Sequence, residues 1–235
     1  MTFPDSPGWI GVDFDGTLAV HREQHGMDVL GKAIEPTLFR IRQWLQAGVE
    51  VRIFTARASQ PELVPAVHAW LHQQQLPALA VTHRRDYDLL QLWDDRAIQL
   101  ETNTAELLTP RQHINLSISG WMGVELDGTL AYHTAGQPLD VIGEPIAKMR
   151  MRVQQWLMTG MDVRLFTARA SDPAQLPRIK AWLKQHQLEK MKITCEKDFA
   201  MSQFWDDRAV HVITNNGQVT GRVDQLIPER KYPPA

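Results

Sequence analysis

The run WIGVDFDGTLA, Trp9 to Ala19, returns as WMGVELDGTLA, Trp121 to Ala131, and this recurrence decides how the chain is organised. VRIFTARAS at Val51–Ser59 returns as VRLFTARAS at Val163–Ser171, and WDDRA at Trp93–Ala97 returns unchanged at Trp205–Ala209. Every recurrence lies 112 residues on, so residues 9–103 align with 121–215 without a gap, about 44 of the 95 pairs being identical. That period is far longer than a solenoid repeat of about 20–50 residues and matches a small domain instead. The expected division is 1–103, a connector at 104–118, and 119–235 with a terminal tail.

Within each copy, short apolar runs alternate with amphipathic stretches. Trp9 to Phe14 reads as a buried strand. Ile34 to Ala47 carries apolar residues at helical spacing with Gly48 as its stop. Val49–Phe54 reads as a strand, Pro61–Gln75 as a helix, Ala78–Thr82 as a strand, Asp86–Leu92 as a short helix and Ala97–Leu100 as the last strand. Ala105–Leu108 of the connector is compatible with a helical turn, and the end of the tail reads as disordered. Strands alternating with helices predict an α/β fold: two Rossmann-like α/β/α domains, each with a mostly parallel sheet covered on both faces. Ligands of such sheets sit at the carboxyl ends of the strands, where Asp13, Asp15, Thr55, Asp94 and Asp95 all fall.

The rest of the chain is ordinary. Of its 235 residues 43% are hydrophobic and 22% charged, and the formal net charge of −2 gives no general pull toward nucleic acid or anionic membrane. One cysteine, Cys195, excludes a disulfide framework and a Cys-rich zinc site. No apolar run reaches membrane-spanning length and no leader-like segment precedes Trp9, so a cytoplasmic location is expected.

An Asp-x-Asp-Gly-Thr turn with a downstream Asp-Asp brings up to four carboxylates together, a costly arrangement unless a cation neutralises them. Ligation by oxygen alone points to Mg²⁺. A carboxylate beside Mg²⁺ is suited to attack phosphorus while a second moves protons, and the turn at Gly16 leaves backbone amides for phosphoryl oxygens. The bland readings run alongside. Arg57 and Arg169 read as carboxylate partners or loop supports, His21 and His133 as surface loop histidines, and Trp93 and Trp205 as packing supports. Trp44, Trp70, Trp156 and Trp182 read as core.

The ordered set Asp-x-Asp-Gly-Thr-Leu, Phe-Thr-Ala-Arg, a basic residue and Trp-Asp-Asp-Arg resembles the haloacid dehalogenase (HAD) superfamily of phosphohydrolases, in its small members with minimal caps. The resemblance covers nearly the whole of both copies. It implies Mg²⁺-dependent hydrolysis of a phosphomonoester through an aspartyl-phosphate, the substrate being a phosphorylated small molecule, a nucleotide or a nucleic-acid end. It makes Asp13 the nucleophile, Asp15 the general acid/base, Thr55 a phosphoryl-oxygen ligand and Arg85 the basic residue, with Asp13, Asp15, Asp94 and Asp95 at the metal. In the second copy the equivalents are Glu125, Asp127, Thr167 and Lys197, with Asp127, Asp206 and Asp207 for the metal.

Both copies depart from the family pattern. Glu125 is longer than aspartate by one bond of about 1.5 Å, and a misplacement of about 1 Å costs on the order of 10²-fold. The second copy is therefore expected to be weak or inactive. In the first, Arg85 replaces the compact ammonium with a planar fork. The first copy is the expected enzyme, with the second packed nearby as scaffold or partial lid. The alternative is an inactive pair that binds a phosphorylated ligand or a protein.

Overall fold

The computed structural model describes residues 8–22, 26, 29–115 and 117–223. The chain is a mixed α/β protein, with four α-helices and two mostly parallel sheets among the described residues. No helix among the described residues is long and apolar enough to cross a membrane. The expected disorder at the end of the tail lies outside the described residues, as does part of the flap between Ala19 and Ile34.

The first half contains β1 (Trp9–Val12), α1 (Glu35–Gln46), β2 (Glu50–Phe54), α2 (Val64–Gln73), β3 (Val81–Thr82), β4 (Leu89–Asp94) and β5 (Ala97–Gln99). The second half contains β6 (Trp121–Val124), α3 (Ala147–Met158), β7 (Asp162–Phe166), α4 (Leu176–Gln185), β8 (Lys192–Thr194), β9 (Met201–Asp206), β10 (Ala209–Val212) and β11 (Val219–Thr220). Helix α1 buries Leu38, Ile41 and Trp44 on one stripe, and Gly48 supplies the positive φ of +78° just past its end.

Three local expectations are corrected. The stretch Asp86–Leu92 is not a helix. The Asp86 carboxylate accepts from Asp88 N at 2.9 Å and Trp9 Nε1 at 2.8 Å, a turn that launches β4. Leu89, Leu90, Leu92 and Trp93 are buried on both faces of that central strand, so their apolar run carries no period of two. The stretch 61–75 divides, with Pro61–Leu63 forming a 3₁₀ turn before α2. In the connector, Leu107 bridges Leu100 as a strand-like pair rather than a helical turn, and the short helix falls at Arg111–His113.

The larger correction concerns the domain boundary. The sheet order is β11-β10-β4-β1-β2-β3 in one sheet and β5-β9-β6-β7-β8 in the other. The halves have exchanged their last strands: β10 of the second lies parallel to β4 of the first, with Val210 opposite Trp93, and β5 of the first lies parallel to β9 of the second, with Ile98 opposite Trp205. The repeats 1–103 and 119–235 are thus units of sequence but not of packing.

The layering differs from the expected sandwich for the same reason. Helices α1 and α2 share a single core with Ile10, Val12, Val51 and Ile53, on one face of the first sheet. Helices α3 and α4 do the same with Met122, Val124, Val163 and Leu165 on the second. The opposite faces meet each other in a third cluster that joins Trp9, Phe54 and Leu92 to Trp121, Phe166 and Phe204. Phe54 and Phe166 face each other across it at 6.3 Å. The layers therefore run helices, sheet, sheet, helices. A sheet apolar on both faces needs two covers, and each half is the second cover of the other.

Candidate active site

Asp13 follows β1, Thr55 follows β2, and Asp94 ends β4, three neighbouring parallel strands. Their carboxyl ends gather the polar residues at one edge, as the fold requires. Gly16 turns the chain with φ +85°, and a Cβ there would stand 2.5 Å from Asp95 Oδ2, so only glycine admits this approach. Thr17 accepts from Asp95 N at 3.0 Å and ties the first turn to the fourth strand.

Asp13, Asp94 and Asp95 each offer a carboxylate oxygen within 4.8 Å of the others. Among the described residues this is the one cluster so arranged. Burial and then the charge of Asp94 push the Asp13 carboxyl well above its usual range, against the pull of Lys197. The same two causes push Asp95 up to about 6. One buried oxygen of Asp95, Oδ1, has no hydrogen-bond partner among the described residues. An all-oxygen set with surplus negative charge and an unsatisfied buried oxygen fits a hard divalent cation.

The cation that the chain itself supplies corrects the expected assignment of Arg85. Lys197, from the second half, places its ammonium 2.8 Å from Asp13 and 2.5 Å from Asp94, all three buried. Burial alone would lower the lysine pKa, but Asp13 and Asp94 outweigh it and hold the group above its ordinary value. Arg85, from the first half, makes the reciprocal reach: Nη1 lies 2.8 Å from Glu125 and Nη2 lies 2.7 Å from Asp206. The crossing is built where residues 83–85 pair antiparallel with 195–197, through Arg85 N to Cys195 O at 2.9 Å and Lys197 N to His83 O at 2.8 Å. Each basic residue serves the other half's acids. The first site therefore has the compact ammonium, and the arginine belongs to the site that has glutamate.

Asp15 stands beside the cluster rather than within it. Arg57 clamps its carboxylate with two parallel bonds, Nε to Oδ2 at 2.7 Å and Nη2 to Oδ1 at 2.8 Å. Arg169 does the same to Asp127 at 2.7 and 3.0 Å, confirming both arginines as carboxylate partners. Arg169 also donates to the carbonyls of Leu139 and Val141 in the equivalent flap of the second half, between Ala131 and Ile146. His21 and His133 are not plain surface residues: their Nδ1 atoms lie 3.5 Å from Asp15 and 3.3 Å from Asp127, and His133 is buried. Trp44, Trp70 and Trp182 are buried as expected, Trp44 against Trp93 at 5.0 Å, while Trp156 is only half-buried against Trp205, and Trp70 Nε1 also donates to Gly31 O and anchors the flap.

Two residues escaped the sequence reading. Asn215 donates its backbone N–H to Gly16 O at 2.7 Å, accepts from His21 N on Oδ1 at 2.7 Å and donates Nδ2 to His21 O at 2.8 Å. Asn103 does the same for Gly128 and His133 at 2.7, 2.8 and 2.8 Å. Both sit at positive φ, 60° and 63°, a conformation asparagine tolerates. The available signal was the recurrence of Thr102-Asn103 as Thr214-Asn215 at the end of the repeat.

The second site is closed on itself. Glu125 Oε1 accepts from Thr167 Oγ1 at 2.9 Å and Oε2 faces Arg85, which also donates to Phe166 O at 2.9 Å. Thr102 and Thr129 hydroxyls bond Asp207 at 3.1 and 3.2 Å. Comparisons of the chain with family models, with curated proteins and with solved structures returned no match.

Proposed function

We infer that the first site is the catalytic centre of a phosphohydrolase of the HAD type, acting on a phosphomonoester through an aspartyl-phosphate with Mg²⁺ as its cation. The observation that carries this reading is the arrival of Lys197 at Asp13 and Asp94 from the other half. It joins an aspartate nucleophile position, two further acids and a compact ammonium in a single buried site.

Asp13, Asp94 and Asp95 are the residues that would hold the cation, which when bound offsets charge on the phosphoryl oxygens and lowers the repulsion facing an anionic nucleophile. Asp13 attacks phosphorus, and the bond from phosphorus to the leaving oxygen breaks. Asp15 delivers a proton to that oxygen, then takes one from the water that attacks the phosphoryl-enzyme, releasing phosphate and restoring Asp13. The Arg57 clamp fixes the orientation of Asp15 while His21 lies against the same carboxylate. The Thr55 hydroxyl and the Lys197 ammonium are the donors for the non-bridging oxygens.

The second half acts as scaffold and donor in this reading. Glu125, held by Arg85 and Thr167, already has its charge neutralised. The competing reading, a non-catalytic pair that binds a phosphorylated ligand or a protein, draws support from that closed second site alone.

The test is Mg²⁺-dependent phosphate release across a panel of phosphomonoesters. Asp13→Asn is expected to lower turnover by at least about 10³-fold, as removal of a covalent nucleophile does, and Glu125→Gln to leave it near wild type. Loss on Glu125→Gln with retention on Asp13→Asn would move the chemistry to the other site. Absence of release from the wild-type protein with every ester would favour the binding reading.

A further inference from the structure

A cavity of about 540 Å³ lies beside the first carboxylate cluster and shares Asp95 with it. Its walls come from four parts of the chain: His21, Asp95 and Arg96 of the first half, His113 of the connector, Ser202 of β9, and His211 and Thr214 of the exchanged strand and its following turn. Its volume falls within the range of about 300–1,000 Å³ typical of small-molecule sites, yet such sites are mostly apolar and aromatic. Among the described residues no Trp, Tyr or Phe lines the wall, and Ala97, Ile98 and Ile213 are its apolar residues.

The polar groups are fixed rather than loose. His211 is buried, and its Nδ1 is engaged with Thr220 Oγ1 at 2.7 Å. Burial, with His113 adding to it, brings its pKa down to about 4, so the ring is neutral at ordinary pH. His113 packs on it with ring centroids 5.5 Å apart, which leaves no slot for a planar base between them. Thr214 bonds Asp95, and Asn215 holds the backbone of His21.

Among the described residues the matching position in the other half is arranged differently. Gln99 stands where His211 would be, and its side chain is taken by Arg222, through Nε2 to Arg222 O at 2.6 Å and Arg222 N to Oε1 at 2.9 Å. The polar space is thus built next to the site with the aspartate nucleophile position.

We propose that this cavity is the leaving-group subsite of the first site and takes a hydroxyl-rich group, making the substrate a sugar or polyol phosphate. This rests on the phosphohydrolase reading for its chemistry, but the binding claim stands on the cavity. Imidazole nitrogens match a set of hydroxyls as paired donors and acceptors, on a wall whose other polar groups are held in place by the chain. Among the described residues His211 Nε2 and the ring nitrogens of His113 are not taken by bonds within the chain, and a group without hydroxyls leaves them unpaired, the kind of mismatch that gives discrimination. A nucleobase would need a broad aromatic face, and the described lining supplies no Trp, Tyr or Phe, while the rings of His113 and His211 already pack on each other.

The test measures binding first, by calorimetry on the full chain without metal, using glucose 6-phosphate, butyl phosphate, AMP and inorganic phosphate. Glucose 6-phosphate is expected to bind at least about tenfold more tightly than the other three, a difference of about 1.4 kcal/mol. His113→Ala is expected to remove that margin and His113→Gln to restore part of it, both with an unchanged melting temperature. In turnover, the ratio of kcat/KM for glucose 6-phosphate over p-nitrophenyl phosphate should fall about tenfold in His113→Ala. Tighter binding of AMP or butyl phosphate, or a margin that His113→Ala does not change, overturns the subsite. If no ester releases phosphate but the margin and its loss are observed, the catalytic reading fails and the subsite stands.

Discussion

The two sites are built from the same residues in the same order and differ by a pair of reciprocal substitutions. The first pairs aspartate with a lysine reaching in from the other half, and the second pairs glutamate with an arginine reaching back. Lysine is a compact charge that leaves the carboxylate oxygens of Asp13, Asp94 and Asp95 close together. Arginine spans Glu125 and Asp206 with its two terminal nitrogens and satisfies both. The lesson is that one site has kept surplus carboxylate charge while the other has neutralised its own. Since the lysine of the open site comes from the closed half, neither half can be judged by itself.

The strongest way to break this comparison is to separate the halves. Residues 1–103 alone would lose β10 from the edge of β4 and would expose Trp9, Phe54, Leu89 and Leu92 of the shared core to water. β5 would have no β9 to pair with. Expressed alone, this fragment is expected to be unfolded or aggregated by circular dichroism and size exclusion, and co-expression with 119–235 should recover a soluble complex. A monomeric, cooperatively folding 1–103 would show that the exchange of strands is dispensable.

Next in size is the pair of basic residues. Lys197→Ala is expected to lower turnover on the order of 10²-fold, as loss of a preorganised transition-state donor does. Arg85→Ala should act on stability instead. It leaves Glu125 and Asp206 buried without their partner, at a cost of about 3–5 kcal/mol, while kcat per folded molecule holds. Denaturant melts alongside steady-state kinetics separate the two, and equal kinetic losses would erase the distinction between the sites.

Much of this was legible from residues alone, and the exceptions have a common cause. The repeat, the helices around Trp44 and Trp70, and the gathering of Asp13, Thr55 and Asp94 at strand ends follow from local pattern and the geometry of parallel sheets. The Arg57 clamp on Asp15 was likewise foreseeable from charge. What a repeat cannot disclose is which copy a segment pairs with, since Ala97–Gln99 is an equally good strand beside β4 or β9. The assignment of Arg85 to Asp13 failed for that reason, not because its chemistry was misread. Burial of β4 on both faces hid its strand period, and the connector bridge at Leu107 depends on a partner, Leu100, that propensity does not see.

A smaller effect separates the sites by pH. The Asp95 carboxyl has its folded pKa raised from 3.8 to about 6, so between those values the folded state binds more protons than the unfolded one. The Asp95 contribution to the stability of the metal-free protein should then fall as pH rises from about 4 through about 6, with Asp13, also raised, adding to it, while His211, lowered to about 4, pulls the opposite way over the same window. The Asp95 contribution is on the order of 2 kcal/mol, read as the difference between the pH profiles of wild type and Asp95→Asn. From pH 4.5 to pH 7 the wild-type melting temperature should fall by several degrees relative to that of Asp95→Asn, and Mg²⁺ should recover the difference above pH 6. Parallel profiles for the two proteins, with no response to Mg²⁺, would remove the surplus charge from the first site.

The finest comparison is between the two asparagine clamps. Asn215 and Asn103 make matching sets of three bonds at nearly equal lengths, so Asn215→Ala and Asn103→Ala should each cost about 1 kcal/mol and lower the melting temperature by about 2–4 °C. Their kinetic consequences should differ. Asn215 holds His21, which lies against Asp15 and lines the cavity beside the first site, whereas Asn103 holds His133 against Asp127 in the closed one. Asn215→Ala is therefore expected to reduce kcat/KM severalfold, and Asn103→Ala to leave it in place. Equal kinetic losses at matched stability would mean that the second flap also works on the reaction, and the closed site would have to be reopened as a participant.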